Sequence, residues 1–88
     1  MSVVIEISAP LLEFTEEAKT VTVNGNTVKE CLTDLAGIYP MMSDYLFDRT
    51  GALKTVAVLN GAVVPQKNLD MAVSPGDHLT LLLPVDGG

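Results

Sequence analysis

Apolar residues recur at every second position near the start of the chain. Val3, Ile5 and Ile7 alternate onto one face, so Val3 to Ser8 reads as a β-strand. Ala9-Pro10 interrupts it. Leu11, Leu12 and Phe14 follow in a connector that is apolar first and acidic later, through Glu13, Glu16 and Glu17. Alternation returns at Thr20 to Asn24, where Val21 and Val23 face inward, although Asn24-Gly25 also suits a turn.

The period changes at Thr27. Val28, Cys31, Leu32, Leu35 and Ile38 fall at helical spacing and predict one apolar helix face. Thr27-Val28-Lys29-Glu30 is a capping box: the Thr hydroxyl accepts from the backbone of the third helical residue, and Glu30 reaches back. Pro40 ends the helix because it lacks an N–H and its ring clashes with the preceding turn. Met41 to Phe47 predicts a short second helix, and Asp48-Arg49-Thr50-Gly51 a turn. Val56, Ala57, Val58 and Leu59 form an unbroken apolar run, which predicts a central strand over Thr55 to Asn60. Asn60-Gly61 is a hairpin signal, with Ala62 to Val64 returning. Lys67 to Val73 reads as an irregular connector and Ser74-Pro75-Gly76-Asp77 as a turn. His78 to Val85 is the last strand, with Leu79, Leu81 and Leu83 on one face and His78, Thr80, Leu82 and Pro84 on the other.

The order strand, strand, helix, strand, strand, strand predicts an α+β domain. Its mixed sheet of four to five strands carries one main helix packed on one face. A single helix cannot cover both faces, so one face is open to solvent or a partner. With the leucine row under the helix, Leu82, Pro84 and Thr80 are the candidate contact residues of that open face, with either Ala57 and Leu59 or their alternates beside them.

At 88 residues the chain is one domain, and its size suits one modest core without a deep substrate cavity. Being 48% hydrophobic and 18% charged, it is expected to fold compactly. Eleven acidic against five basic residues give a formal charge of −6, and the five cations are scattered. Without a basic stripe to neutralise phosphates, nucleic acid and anionic membranes are not expected partners. A protein with a basic docking surface is the natural complement. One cysteine excludes an intramolecular disulfide. The start resembles no signal peptide and no apolar run is long enough to span a membrane, so a cytoplasmic location is expected.

Self-contained catalysis finds little support. His78 is the only histidine and has no cysteine or second histidine at metal-ligand spacing, so no metal site is expected. Cys31 lies on the apolar helix face, where a cysteine behaves as a small hydrophobe. Glu13, Glu16, Glu17, Asp44 and Asp48 read as solvated surface, and Met41 and Met42 as cover for the end of the core. Asn24-Gly25-Asn26 lacks the repeated glycines of a phosphate cradle.

The chemistry that remains is at the end of the sequence. Gly87-Gly88 follows an apolar run, and glycine gives a thin arm with an open carboxylate. Residues 86–88 are expected to form a flexible tail to a single domain spanning 1–88. The strand order, the Thr27-Val28 helix start, Leu59-Asn60-Gly61, and Pro75-Gly76-Asp77 leading through Leu82-Leu83-Pro84-Val85-Asp86 to Gly87-Gly88 resemble the ThiS/MoaD sulfur-carrier family. The resemblance implies the ubiquitin-like β-grasp fold and a carrier that is not itself an enzyme. It implies that an E1-like adenylating enzyme uses ATP to activate Gly88, and that a sulfur donor then gives a thiocarboxylate. A sulfur-accepting synthase would use that group in molybdopterin, thiamine or cysteine biosynthesis. No cofactor bound by the chain itself is implied. Val85, Asp86 and Gly87 would form the arm that carries Gly88 to partner enzymes.

Two departures bear on the pathway. Relatives often carry a small uncharged residue where Asp86 stands, and the molybdopterin branch commonly has aromatics in the last strand, where this chain has Leu81-Leu82-Leu83. The segment from Tyr39-Pro40 to Ala52-Leu53 is longer than in typical thiamine carriers and looks closer to carriers of the cysteine-synthesis type and to MoaD-like proteins. The alternatives are a ubiquitin-like modifier joined to lysines through Gly88, and a β-grasp binding module without tail chemistry.

Overall fold

The computed structural model describes residues 2–84; Met1 and 85–88 lie outside the described residues. The expected tail, with Val85, Asp86, Gly87 and Gly88, therefore falls outside them. The strands are β1 (Ser2–Ile7), β2 (Thr20–Asn24), β3 (Val56–Leu59), β4 (Ala62–Val63) and β5 (His78–Leu82). The helices are α1 (Val28–Ile38) and the single turn α2 (Ser43–Leu46), with 3-10 segments at Ala9–Thr15, Pro40–Met42 and Gln66–Asn68. The five strands form one mixed sheet in the order β2-β1-β5-β3-β4. β5 runs parallel to β1 and antiparallel to β3, and the two outer pairs are antiparallel. This is the α+β, β-grasp arrangement expected from the sequence.

Helix α1 starts where the capping box places it. Thr27 Oγ1 accepts from the Glu30 N–H at 3.1 Å, and Glu30 Oε1 accepts from the Asn26 N–H at 2.9 Å, one residue before the cap. Two further N–H groups of the first turn, those of Val28 and Lys29, donate to the carbonyls of Met71 and Leu69. The connector after β4 thus satisfies donors that a helix start leaves orphaned. Gly25 lets β2 run directly into this turn: a Cβ there would stand 2.7 Å from the Cys31 nitrogen.

The core lies between α1 and one sheet face. Val28, Cys31, Leu32 and Leu35 meet Val3, Ile5, Val23, Ala57, Leu79 and Leu81, all buried, and Leu11, Met42 and Leu46 close one end. Several expectations change here. Ile38, the last residue of α1, is 46% exposed and does not join the buried face of Val28, Cys31, Leu32 and Leu35. Leu83 leaves the leucine row and is 40% exposed: β5 ends at Leu82, and its ladder with β1 ends at Ile7 opposite Leu81. β3 is not central, since β5 holds that place and β3 lies next to the edge. The predicted helix over Met41 to Phe47 divides into a 3-10 turn and one α turn, with Met42 buried and Met41 exposed.

Candidate functional site

The uncovered sheet face is built by the alternate residues of the same strands. Register places Val4 between Thr22 and His78, and Glu6 between Thr20 and Thr80. Thr80 lies opposite Val58, Val58 opposite Val63, and Leu82 opposite Val56. Leu82 and Val63 are exposed, while Thr80, Val56 and Val58 are half-buried. The face therefore has an apolar side on β3, β4 and the end of β5, and a threonine-rich side on β2. Between them, His78 Nε2 stands within hydrogen-bond distance of Glu6 Oε1, at 3.2 Å.

Of the sequence-derived contact residues, Thr80 and Leu82 lie on this face, and Pro84 is exposed just beyond the strand. Leu59 does not join them. It sits opposite the buried Leu79 and packs against the core, because β3 turns Ala57 and Leu59 toward the helix side. Its alternates, Val56 and Val58, occupy the open face. Sequence reasoning left Val56 and Val58 open as the alternates of Ala57 and Leu59, and it missed the Glu6–His78 pair. The alternation on β1 already placed Glu6 out of phase with Ile5 and Ile7, but pairing it with His78 requires knowing that β1 and β5 are parallel neighbours.

β5 is held at its start by two turns that grip each other. In the Ser74–Asp77 turn, Gly76 takes φ +85°, a conformation that glycine adopts without strain. Asp77 accepts from the Ser74 N–H at 2.7 Å and from Asn60 Nδ2 at 3.1 Å, and Asn60 Oδ1 accepts from the His78 N–H at 2.9 Å. Asn60 and Gly61, at φ +49° and +88°, form the β3–β4 turn. The Ser74 N–H, and then the Asn60 amide, hold the Asp77 carboxyl below its ordinary range. The two turn motifs read separately in the sequence thus form one clasp at the root of β5.

At the other end of β5 the chain leaves the sheet between β1 and β3. The Ser8 N–H donates to the Leu81 carbonyl, and the Lys54 N–H donates to Leu46 as the chain enters β3. Two buried hydroxyl oxygens there, Ser8 Oγ and Thr55 Oγ1, have no hydrogen-bond partner among the described residues.

The cysteine of α1 is not prepared as a nucleophile. Cys31 is buried, and burial pushes its thiol up, with Glu30 and Asp34 adding to the shift. Among the described residues, no three His, Cys, Asp or Glu side chains are placed to hold a metal ion. No described helix is long and apolar enough to cross a membrane.

Comparison with known proteins bears on the fold and the family. The chain is similar to small archaeal modifier protein 1 from Haloferax volcanii, with 30% identity, complete coverage of both chains (100%) and a TM-score of 0.85. It is similar to the Amycolatopsis orientalis BexX/CysO complex at 28% identity, over 98% of this chain and 99% of that one, with a TM-score of 0.86. Mycobacterium tuberculosis CysO is 28% identical over 94% of this chain and 99% of its own, with a TM-score of 0.82. No curated protein sequence matches. The fold is thus that of small ubiquitin-like carriers and modifiers. The profile of the ThiS family matches residues 5–88, from the core of β1 through Gly88. With that match spanning nearly the whole sequence, the chain belongs to the ThiS family.

Proposed function

We propose that the chain is a sulfur carrier whose Gly88 carboxylate is activated by a partner enzyme. The observation that carries this reading is the family match, which runs without a break through Gly87 and Gly88. A free α-carboxylate is ionised at neutral pH and its delocalised charge makes it a poor electrophile, so it needs activation. An E1-like enzyme lets the carboxylate attack the α-phosphate of ATP, releasing pyrophosphate and forming an acyl adenylate. A sulfur nucleophile from a donor then displaces AMP, leaving a thiocarboxylate. That group attacks a cofactor precursor or an amino-acid intermediate held by an accepting synthase. Gly87 keeps the arm thin enough for a narrow channel, and Asp86 adds a charge that selects among partners. The activating enzyme docks on the open sheet face around Leu82 and Pro84.

A second reading, conjugation of Gly88 to lysines of other proteins, draws on the 30% identity with small archaeal modifier protein 1. One experiment separates the two. The chain is incubated with its cognate activating enzyme, ATP and a sulfur donor, and its intact mass is measured. A sulfur-for-oxygen exchange at Gly88 supports the carrier. Lysine-branched peptides from cell extracts, without that exchange, support the modifier. If neither adenylate nor exchange forms while a known carrier reacts with its own partner alongside, the reading is lost. Gly88→Ala, which adds a methyl group at the reacting end, is expected to slow adenylation about 100-fold.

A further inference from the structure

All four aromatic residues, Phe14, Tyr39, Tyr45 and Phe47, stand away from the five strands. Two of them are brought together across 31 positions of sequence: the rings of Phe14 and Tyr45 stack with centroids 4.0 Å apart and planes inclined by 24°. Phe14 is half-buried against the core, Tyr45 is 37% exposed, and Met41, one turn before Tyr45, is 63% exposed. Aromatic and methionine side chains left partly in water are the residue types that anchor protein interfaces.

The place of this stack matters. Phe14 lies on the 3-10 segment that follows β1 directly, and Ser8 at its start donates to Leu81 near the end of β5. Tyr45 lies on α2, whose last residue, Leu46, accepts from Lys54 just before β3. Both elements therefore flank the point where the chain leaves β5 for Gly88, on the helix side of the sheet.

The surround is acidic. Glu13 precedes Phe14, Asp44 precedes Tyr45, and Glu16 and Glu17 follow within three residues of Phe14, all four exposed. Glu16 and Glu17 adopt φ of +52° and +65°, consecutive left-handed conformations that glycine or asparagine would take with less strain. Among the described residues, the cationic contact in this group is Lys54 Nζ donating to the Asp44 backbone carbonyl, not to its carboxylate.

We propose that the Phe14–Tyr45 stack, with Met41, is a second docking surface, and that it receives the sulfur-accepting protein through an apolar recess rimmed by lysine or arginine. This rests on the carrier reading. Two enzymes must act on one carboxyl group in turn. A surface on the helix side of the tail root lets the second be chosen by residues other than those that choose the first.

The test uses the full chain as its thiocarboxylate, prepared chemically by thiolysis of an intein fusion, and its cognate acceptor. Sulfur transfer at sub-saturating acceptor is expected to fall at least about tenfold in Tyr45→Ala, while adenylation by the activating enzyme is retained. Asp44→Lys, an exposed change that spares the core, is expected to slow transfer and flatten its salt dependence. Acceptor affinity for the untreated chain is measured in parallel. Failure to form the thiocarboxylate enzymatically removes the carrier reading, while the affinity ratio between wild type and Tyr45→Ala still judges the patch. Unchanged affinity in both folded variants, faster transfer in Asp44→Lys, or an equal loss of adenylation would overturn the proposal.

Discussion

Val3, Ile5 and Ile7 are at most 4% exposed, whereas Val4, between the first two, is 37% exposed. The same contrast runs across the sheet: Leu79 and Leu81 are sealed under α1, and Thr80 and Leu82 beside them meet solvent to different extents. The covered face is uniformly apolar and has one permanent occupant. The open face mixes valine and leucine with threonine and a single His–Glu pair. Such a mixed surface stays soluble alone and still offers an apolar stripe, which suits partners that come and go better than an obligate one. Alternate residues on one strand thus meet different surroundings, the core on one side and solvent on the other, and the proposed docking draws on the second.

The sharpest way to break the comparison is to cut a side chain from each side of β5. Leu81→Ala is expected to lower unfolding free energy by about 3 kcal/mol in urea titration, because it opens a cavity in a fully buried row. A loss under about 1 kcal/mol would mean that the covered face repacks as freely as a surface. Leu82→Asp, one residue away, is expected to leave stability within about 0.5 kcal/mol. It should nevertheless weaken docking of the activating enzyme by about 2 kcal/mol. Calorimetric affinities that match wild type in a folded variant would move the docking site off this face.

The smallest effect concerns acid. Asp77 is held below its ordinary value of 3.8 by the Ser74 N–H and the Asn60 amide, and Asp48 by the Thr50 hydroxyl and the N–H groups of Ala52 and Thr50. A carboxyl whose folded pKa is depressed contributes stability above its unfolded pKa and loses it as pH falls through the folded one. The thermal midpoint should therefore drop below about pH 4, with a shallower slope in Asp77→Asn. An identical acid limb in the variant would show that the clasp carries no charge-dependent stability.

The elements visible in the sequence were those set by local chemistry. Thr27 and Glu30 cap α1 as their spacing implies, and the Asn60-Gly61 and Pro75-Gly76 turns form where glycine permits positive φ. What stayed hidden depended on neighbours distant in sequence. Leu83 continues the period of Leu79 and Leu81, but only the end of the ladder with β1 reveals that nothing covers it. The run Val56 to Leu59 reads as central because all four residues are apolar. In the sheet that composition instead serves both faces, with Ala57 and Leu59 toward the core and Val56 and Val58 toward the open side. The Phe14–Tyr45 stack left no local signature, since neither residue lies on a periodic face.

The order β2-β1-β5-β3-β4 has a consequence for how the molecule comes into being. The middle of the sheet is its last strand to emerge from the ribosome. The β1–β2 and β3–β4 hairpins are made earlier, but they share no ladder with each other; each joins the sheet only through β5. A nascent chain stopped before His78 holds two separate ribbons and an unclosed core, and such non-local pairing is intrinsically slow. Vectorial synthesis therefore postpones closure of the sheet until β5 has arrived, so that the two ribbons and the core they share with α1 are joined in one late step.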